Sequence, residues 1–254
     1  MDLVSLISAA VALGSATVAG VLGYWTQRRL RGFEQRTVME SYGASLVWAA
    51  YDLQSRLFNI LYGHAVDVLP EDTRHGFLTS FHRNGSPGER AYVSRSTVFV
   101  IAEYLGWVEI LRRDVRYLDL GSSRTNRAIM AKIAEVDKAF NRSSAQSNVF
   151  RVFRAHQRAI GELMIHPDGA PGERRCLGYA EFCEKLDTDD RFSGWFTGLL
   201  ADVDALTTDT APAVPRLTEL QHGLTDLITL LDPKGQQVPE FRSRFQGVRP
   251  AGEQ

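Results

Sequence analysis

This sequence contains few cysteines and has no excess of charge of either sign. Of its 254 residues, 29 are lysine or arginine and 30 are aspartate or glutamate, so the formal net charge is −1. A balanced chain has no bulk attraction for nucleic acid or for anionic lipid, and any such binding has to come from a local patch. We therefore do not expect nucleic acid as a partner.

The two cysteines, Cys176 and Cys183, argue against both a disulfide framework and a zinc site. Their spacing of seven predicts one shared helix face, and it does not fit a zinc-type pair of ligands. We interpret both as reduced packing residues.

Motifs of common catalytic and metal sites are also missing. The sequence contains no HExxH, no P-loop glycine-lysine motif and no zinc-type cysteine pairing. Glu162 and His166 form only one loose fragment of a di-iron pattern, which needs Glu-x-x-His on two helices. Ser193 precedes Gly194 but lacks the other glycine of a nucleophile elbow. We predict no catalytic residue, metal or cofactor, and we lean towards a protein that is not an enzyme.

An unbroken run of about 23 residues without a charged side chain extends from Leu3 to Trp25. At about 1.5 Å rise per residue, a helix of this length crosses a bilayer core of roughly 30 Å. Asp2 is the only charged side chain before it, whereas a basic segment follows at once. That segment contains four arginines: Arg28, Arg29, Arg31 and Arg36.

By the positive-inside rule, this pattern predicts one transmembrane helix with the amino terminus outside the cell. We assign residues 1–27 to the anchor and 28–36 to a basic juxtamembrane segment. The predicted location is the cell membrane, single-pass, with the bulk of the chain in the cytoplasm and the lipid bilayer as a partner. A cleaved signal peptide is the main alternative, because Thr17–Ala19 resemble a cleavage site, but its positive n-region is missing.

Small residues recur every fourth position along the predicted anchor, namely Ser8, Ala12, Ala16 and Gly20. This spacing lies along one side of a helix and would let a second helix approach closely. It predicts a helix-packing face and a possible homo-oligomer, although an alanine-rich segment also produces such ladders by chance.

Amphipathic helical patterns fill most of the remaining chain. Apolar residues spaced three and four apart predict helices at about 39–60, 92–120, 124–140, 147–165, 177–186, 192–206 and 217–231. No segment shows sustained period-two alternation, which argues against a sheet. We predict an all-α fold, with a cytosolic bundle of about six or seven helices in 37–232 and a disordered tail at 233–254.

The most apolar stretch after the anchor, Thr97 to Leu111, is interrupted only by Glu103 and Glu109. At about 15 residues with two carboxylates, it is too short and too costly for a second membrane span, so we expect the central helix of the bundle. An unpaired buried carboxylate is destabilising, and arginine is the partner best able to satisfy it. The predicted arginine face of the 147–165 helix is such a partner.

The predicted polar site therefore consists of Glu103, Tyr104, Glu109, Arg151, Arg154, Gln157 and Arg158. One interpretation is a structural buried salt-bridge network. The other is a pocket between helices in which the arginines bind an anionic ligand such as a phosphate or nucleotide group.

Three stretches carry a resemblance to a known group: AEYLGWVEILRR (102–113), FRAHQRAIGELMI (153–165) and QHGLTDLITLLDP (221–233). They resemble an uncharacterised bacterial group of single-pass, membrane-anchored helical proteins. The group has no known activity, so the resemblance implies an architecture and transfers no function or catalytic residue.

Together these patterns predict a membrane-tethered helical interaction or regulatory module with an unidentified protein partner. The first alternative is a sensor or enzyme for an anionic ligand at the predicted polar site. The second is a membrane effector that oligomerises through its anchor.

Overall fold

The computed structural model describes residues 17, 20–26, 42–61, 81–82, 84–114, 124–143, 147–238 and 244–245. It divides into two compact units, Met1–Ser41 and Tyr42–Gln254. Apart from one antiparallel bridge between Ile165 and Cys176, the regular structure within these ranges is helical. The predicted all-α class is confirmed.

In the first unit, residues 20–26 are helical. None of the helices within the described ranges combines the length and the apolar character that a bilayer crossing requires. Most of the predicted anchor, including Ser8, Ala12 and Ala16, lies outside the described residues, as does the juxtamembrane segment 28–36.

Eight helices are described in the second unit. Helix α1 covers residues 42–61, and it is followed by α2 (Pro87–Asp114), α3 (Arg124–Asn141), α4 (Arg154–Leu163), α5 (Tyr179–Thr188), α6 (Asp190–Ser193), α7 (Thr197–Leu206) and α8 (Val214–Leu231). Because α5 begins at Tyr179, the predicted common helix face of Cys176 and Cys183 is wrong. Both thiols are free, and Cys176 is buried.

The predicted helix at 147–165 is too long, because a turn replaces its first part. Phe150 has a φ of 57°, in the left-handed region that a right-handed helix excludes. The Arg151 amide donates to Asn148 O, and the Val152 amide donates to Phe140 O of α3. Helix α4 therefore begins only at Arg154.

The predicted helix at 192–206 is likewise divided in two. The carboxylate of Asp189 caps α6 by accepting from the amides of Arg191 and Phe192. A tighter turn follows, in which the amides of Trp195 and Phe196 donate to carbonyls three residues earlier. Trp195 lies in this turn between α6 and α7.

Helix α2 is the central element, as its apolar run predicts. It contacts α4, α5 and α7, while α3 packs on α8 and α4. Its buried residues lie on several sides, among them Val98, Ile101 and Tyr104.

Two glycines allow α2 to approach its neighbours closely. A Cβ added at Gly161 of α4 would lie 2.6 Å from the Leu105 carbonyl oxygen and 2.9 Å from Glu109 Cβ. One added at Gly106 of α2 would lie 2.8 Å from Met164 Cβ. The α2–α4 crossing therefore excludes any side chain at these positions, and it brings Glu109 next to α4.

Two parts of the predicted disordered tail contact the bundle. The Asp232 carboxylate, at the end of α8, accepts hydrogen bonds from the amides of Gln236 and Gln237. Phe245 is buried, with its amide donating to Gln221 Oε1 and its carbonyl 2.7 Å from His222 Nε2. Residues 239–243 and 246–254 lie outside the described ranges.

Candidate functional site

Four buried polar side chains meet between α2, α3 and α4, and we call them the polar cluster. They are Tyr104 and Glu109 of α2, Asp137 of α3 and Gln157 of α4, and each is at most 8% exposed. Each also has one buried atom without a hydrogen bond in the described part of the chain, namely Tyr104 Oη, Glu109 Oε2, Asp137 Oδ1 and Gln157 Oε1. Buried polar atoms are usually hydrogen-bonded, so four in one cluster mark this place as unusual.

Gln157 and Asp137 connect the members of the polar cluster. The Gln157 side-chain amide donates to the Asp137 carbonyl oxygen at 3.0 Å and to the Val152 carbonyl oxygen at 2.7 Å. Burial raises the pKa of the Asp137 carboxyl, while Arg112 and Arg154 act in the opposite direction. Burial, with a contribution from Asp137, also raises the pKa of Tyr104 well above its usual value.

Arginines at the rim neutralise Glu109. Its carboxylate oxygens lie 3.0 Å from Arg113 Nε, 3.2 Å from Arg112 Nη1 and 3.9 Å from Arg158 Nε. The contact with Arg113 is a hydrogen bond, and Arg113 also pairs with Glu162 of α4 at 2.9 Å. The result is an ion-pair network across the α2–α4 contact, with a buried carboxylate and half-exposed guanidinium groups.

The remaining predicted site residues are placed as follows. Arg158 contacts Glu109, Gln157 binds the Asp137 carbonyl oxygen, and Tyr104 and Arg154 both interact electrostatically with the Asp137 carboxyl. Arg151 lies in the turn before α4, with its guanidinium carbon 4.6 Å from the centre of the Phe153 ring. Glu103 interacts electrostatically with Asp52 of α1.

Glu103 and Glu109 have different charged neighbours. They lie about 120° apart around α2, and Glu103 interacts with Asp52 of α1 whereas Glu109 contacts Arg112 and Arg113.

Asp137 is the member of the polar cluster that the sequence analysis missed. It lies four residues after Ile133 and three before Phe140, both of which are buried on the inner face of α3. That spacing, which puts a carboxylate on an apolar face, is the signal that could have identified it.

Apart from Glu109 Oε2, which contacts arginines, the atoms without a hydrogen bond are two acceptors, Asp137 Oδ1 and Gln157 Oε1, and the Tyr104 hydroxyl. Acceptors of this kind favour a hydrogen-bond donor over an anion. Within the described ranges, no group of three or more His, Cys, Asp or Glu side chains is arranged to hold a metal ion.

A second polar contact involves His82, Ser94 of α2 and Asp204 of α7. His82 Nε2 lies 3.0 Å from Ser94 Oγ and 2.9 Å from Asp204 Oδ1, and Ser94 Oγ is 3.0 Å from the same Asp204 oxygen. In a catalytic triad the carboxylate and the serine contact different ring nitrogens. Here both contact Nε2, so this arrangement does not form a proton relay.

Ser94 and Asp204 also line a surface cleft of about 450 Å³ between α2, α5, α6 and α7. At one end, Arg95 forms a two-pronged ion pair with Asp187, at 2.9 Å and 2.6 Å. The charges of Arg95 and Asp187 are thus paired with each other.

Glu103 gives a pH-dependent prediction, because burial and then the charge of Asp52 raise its pKa to about 7 from 4.5. The folded protein holds this proton more tightly than the unfolded chain does. The free energy of unfolding should therefore fall as pH rises from about 4.5 to 7 and then level off. We expect Glu103→Gln to stabilise the protein by about 1–3 kcal/mol at pH 8 but to change little at pH 4.5.

Urea unfolding of both proteins at the two pH values measures this difference, and the low-pH comparison is its internal control. An equal effect at both pH values would show that Glu103 does not titrate as described.

Comparison with protein-family models, with curated proteins and with solved structures gives no match. The resemblance to a membrane-anchored bacterial group thus stays a prediction.

Proposed function

We propose that this chain is a membrane-tethered helical module whose cytosolic domain acts by binding a partner rather than by catalysis. The first unit supplies the tether. The second unit supplies the binding surfaces.

The observation that carries this proposal is the apolar surface of helical residues 20–26. Val21, Leu22, Tyr24 and Trp25 are 53–62% exposed. The Thr26 hydroxyl donates to the Leu22 carbonyl oxygen at 2.8 Å, which satisfies this polar group within the helix. Exposed apolar side chains and internally satisfied polar groups are what a lipid environment favours.

The basic residues that follow support the direction of the tether. Arg28, Arg29 and Arg31 would keep the carboxyl side of the anchor in the cytoplasm, and Tyr24 and Trp25 would lie at the membrane interface. The 42–254 unit would then face the cytosol.

The alternative of an anionic ligand at the predicted polar site has weaker support. Arg158 contacts Glu109, Arg151 lies outside α4, and the interior of the polar cluster consists mainly of acceptors.

Oligomerisation through the anchor stays a prediction. Of its four small residues, only Gly20 is described, and a Cβ added there would meet no atom within 4 Å. This leaves room for a second helix at that position.

Membrane fractionation tests the tether. We expect the full-length protein to stay in the membrane pellet after an alkaline carbonate wash, and a Val11→Arg/Leu13→Arg variant to move to the supernatant. Each arginine near the centre of a membrane helix costs about 2.5–3.5 kcal/mol of apparent insertion free energy. Ala134→Arg, at an exposed position of α3, is the control and should remain in the pellet.

A wild-type protein found in the supernatant after the wash would contradict the tether. So would equal pelleting of the wild type and the double-arginine variant.

A further inference from the structure

Aromatic and cationic side chains form an exposed patch where the start of α4 meets the turn between α6 and α7. We call Arg151, Phe153, Arg154, His156 and Trp195 the aromatic–arginine patch. The rings of Phe153 and His156 are 5.8 Å apart, and those of His156 and Trp195 are 5.6 Å apart, both edge to face. Arg151 lies over Phe153. Arg151, Phe153, His156 and Trp195 are thus linked by direct contacts, and Arg154 is exposed beside Phe153 in the first turn of α4.

This surface is solvent-facing, although it contains two large aromatic residues. Phe153 is 46% exposed and Trp195 is 44% exposed, while the nearby Phe192 and Phe196 are buried in the core. Aromatic rings that contact one another and still remain half-exposed are typical of binding surfaces.

The patch also carries two guanidinium groups without a direct ion pair, with Asp137 interacting electrostatically with Arg154 and Asp202 bound to the Phe150 amide beside Arg151. Neither the Arg151 nor the Arg154 guanidinium forms an ion pair with any carboxylate in the described part of the chain. Next to them, Arg142 pairs with Glu219, and Arg216 lies close enough to Arg151 for their charges to interact. A partner of complementary charge is therefore anionic.

Tryptophan, phenylalanine and arginine together match the chemistry of the bilayer interface. Tryptophan rings favour the headgroup level, and arginine binds phosphate with two hydrogen bonds. Because the net charge of the whole chain is close to zero, the chain has no overall attraction for anionic lipid, and binding to such lipid requires a local basic patch of this kind.

We infer that the aromatic–arginine patch docks the domain onto the anionic headgroup layer of the membrane. This inference rests on the proposed tether, which would keep the domain at high effective concentration near the surface. Trp195 and Phe153 enter the interface, and Arg151 and Arg154 contact lipid phosphates. The opposite surface of the bundle then faces the cytosol.

The test uses the full-length protein in vesicles of phosphatidylcholine with or without phosphatidylserine. Brominated acyl chains quench tryptophan fluorescence only at close range. We expect Trp195→Phe to remove a share of the quenching in phosphatidylserine vesicles. Trp48→Phe, at another half-exposed tryptophan, is the matched control and should not change the quenching.

Charge removal gives the second readout. Arg151→Gln/Arg154→Gln should lower the ratio of docked to undocked domain by about tenfold or more in phosphatidylserine vesicles. In pure phosphatidylcholine the same variant should match the wild type. Arg95→Gln, whose charge is already paired with Asp187, should have no effect on docking.

Flotation of the same vesicles distinguishes a failure of the docking inference from a failure of the proposed tether. If the protein floats with the vesicles but Trp195 is not quenched, the docking inference is wrong and the tether stands. A protein that does not float contradicts both proposals.

Discussion

Gly161→Ala is expected to lower the free energy of unfolding by about 1–3 kcal/mol, although alanine is the better helix former. The new methyl group would lie 2.6 Å from the Leu105 carbonyl oxygen, which is a backbone atom of the central helix. A backbone carbonyl cannot rotate away as a side chain can, so α4 must move from α2. Urea unfolding monitored by circular dichroism measures the change.

Gly198→Ala is the matched control for this substitution. Gly198 also lies within a helix, α7, but a Cβ there would meet no atom within 4 Å. Because Gly198 lies in the first turn of α7, this variant should gain at most about 0.5–1 kcal/mol from helix propensity and should not lose stability. Equal effects of the two substitutions would show that α2 and α4 do not approach as closely as described.

Arg216→Met is expected to lower the free energy of unfolding by at least about 3 kcal/mol. Arg216 is buried, and its guanidinium donates to the carbonyl oxygens of Val149, Ala139 and Phe140 at 2.9–3.1 Å. These acceptors lie at the end of α3 and in the turn that holds Phe150. Methionine fills a similar volume but would leave them buried without a donor.

Arg142→Met separates this effect from the general loss of a positive charge. Arg142 is exposed and forms a surface ion pair with Glu219 at 2.8 Å, a kind of contact that contributes about 0–1 kcal/mol. Denaturant midpoints of the two variants within experimental error of each other would contradict the role assigned to Arg216.

Helix type and order follow from the sequence where apolar periodicity is strong. The run at 97–111 predicts the central helix, and the leucines at 217, 220, 224, 227 and 231 predict α8. In both cases the helix buries one face or nearly its whole surface, and the spacing of its apolar residues in the sequence indicates this burial.

The spacing of residues along the sequence does not predict contacts between residues that are distant in the chain. Arg216 resembles any other arginine in the sequence, because its acceptors lie 67–77 residues earlier in the chain. The left-handed Phe150 could not be anticipated either, since bulky residues rarely adopt that conformation.

The candidate site was predictable in part for the same reason. A carboxylate in an apolar run indicated that Glu109 needs a cation, and Arg158 of α4 contributes to that role beside the local Arg112 and Arg113. Glu103 instead interacts with Asp52 of α1, a contact between residues distant in the chain that local spacing does not predict. Asp137 was accessible to the same reasoning as Glu109, whereas the atoms of the polar cluster that lack a hydrogen bond depend on side-chain packing.

Labelling with a membrane-impermeant maleimide tests the central claim, a tethered domain on the cytosolic side, most directly. The probes are Asp2→Cys, before the predicted anchor, and Ala134→Cys, at an exposed position of α3. We predict that Asp2→Cys is labelled in intact cells and that Ala134→Cys is labelled only after lysis. Labelling of Ala134→Cys in intact cells, or of neither cysteine before lysis, would contradict the account.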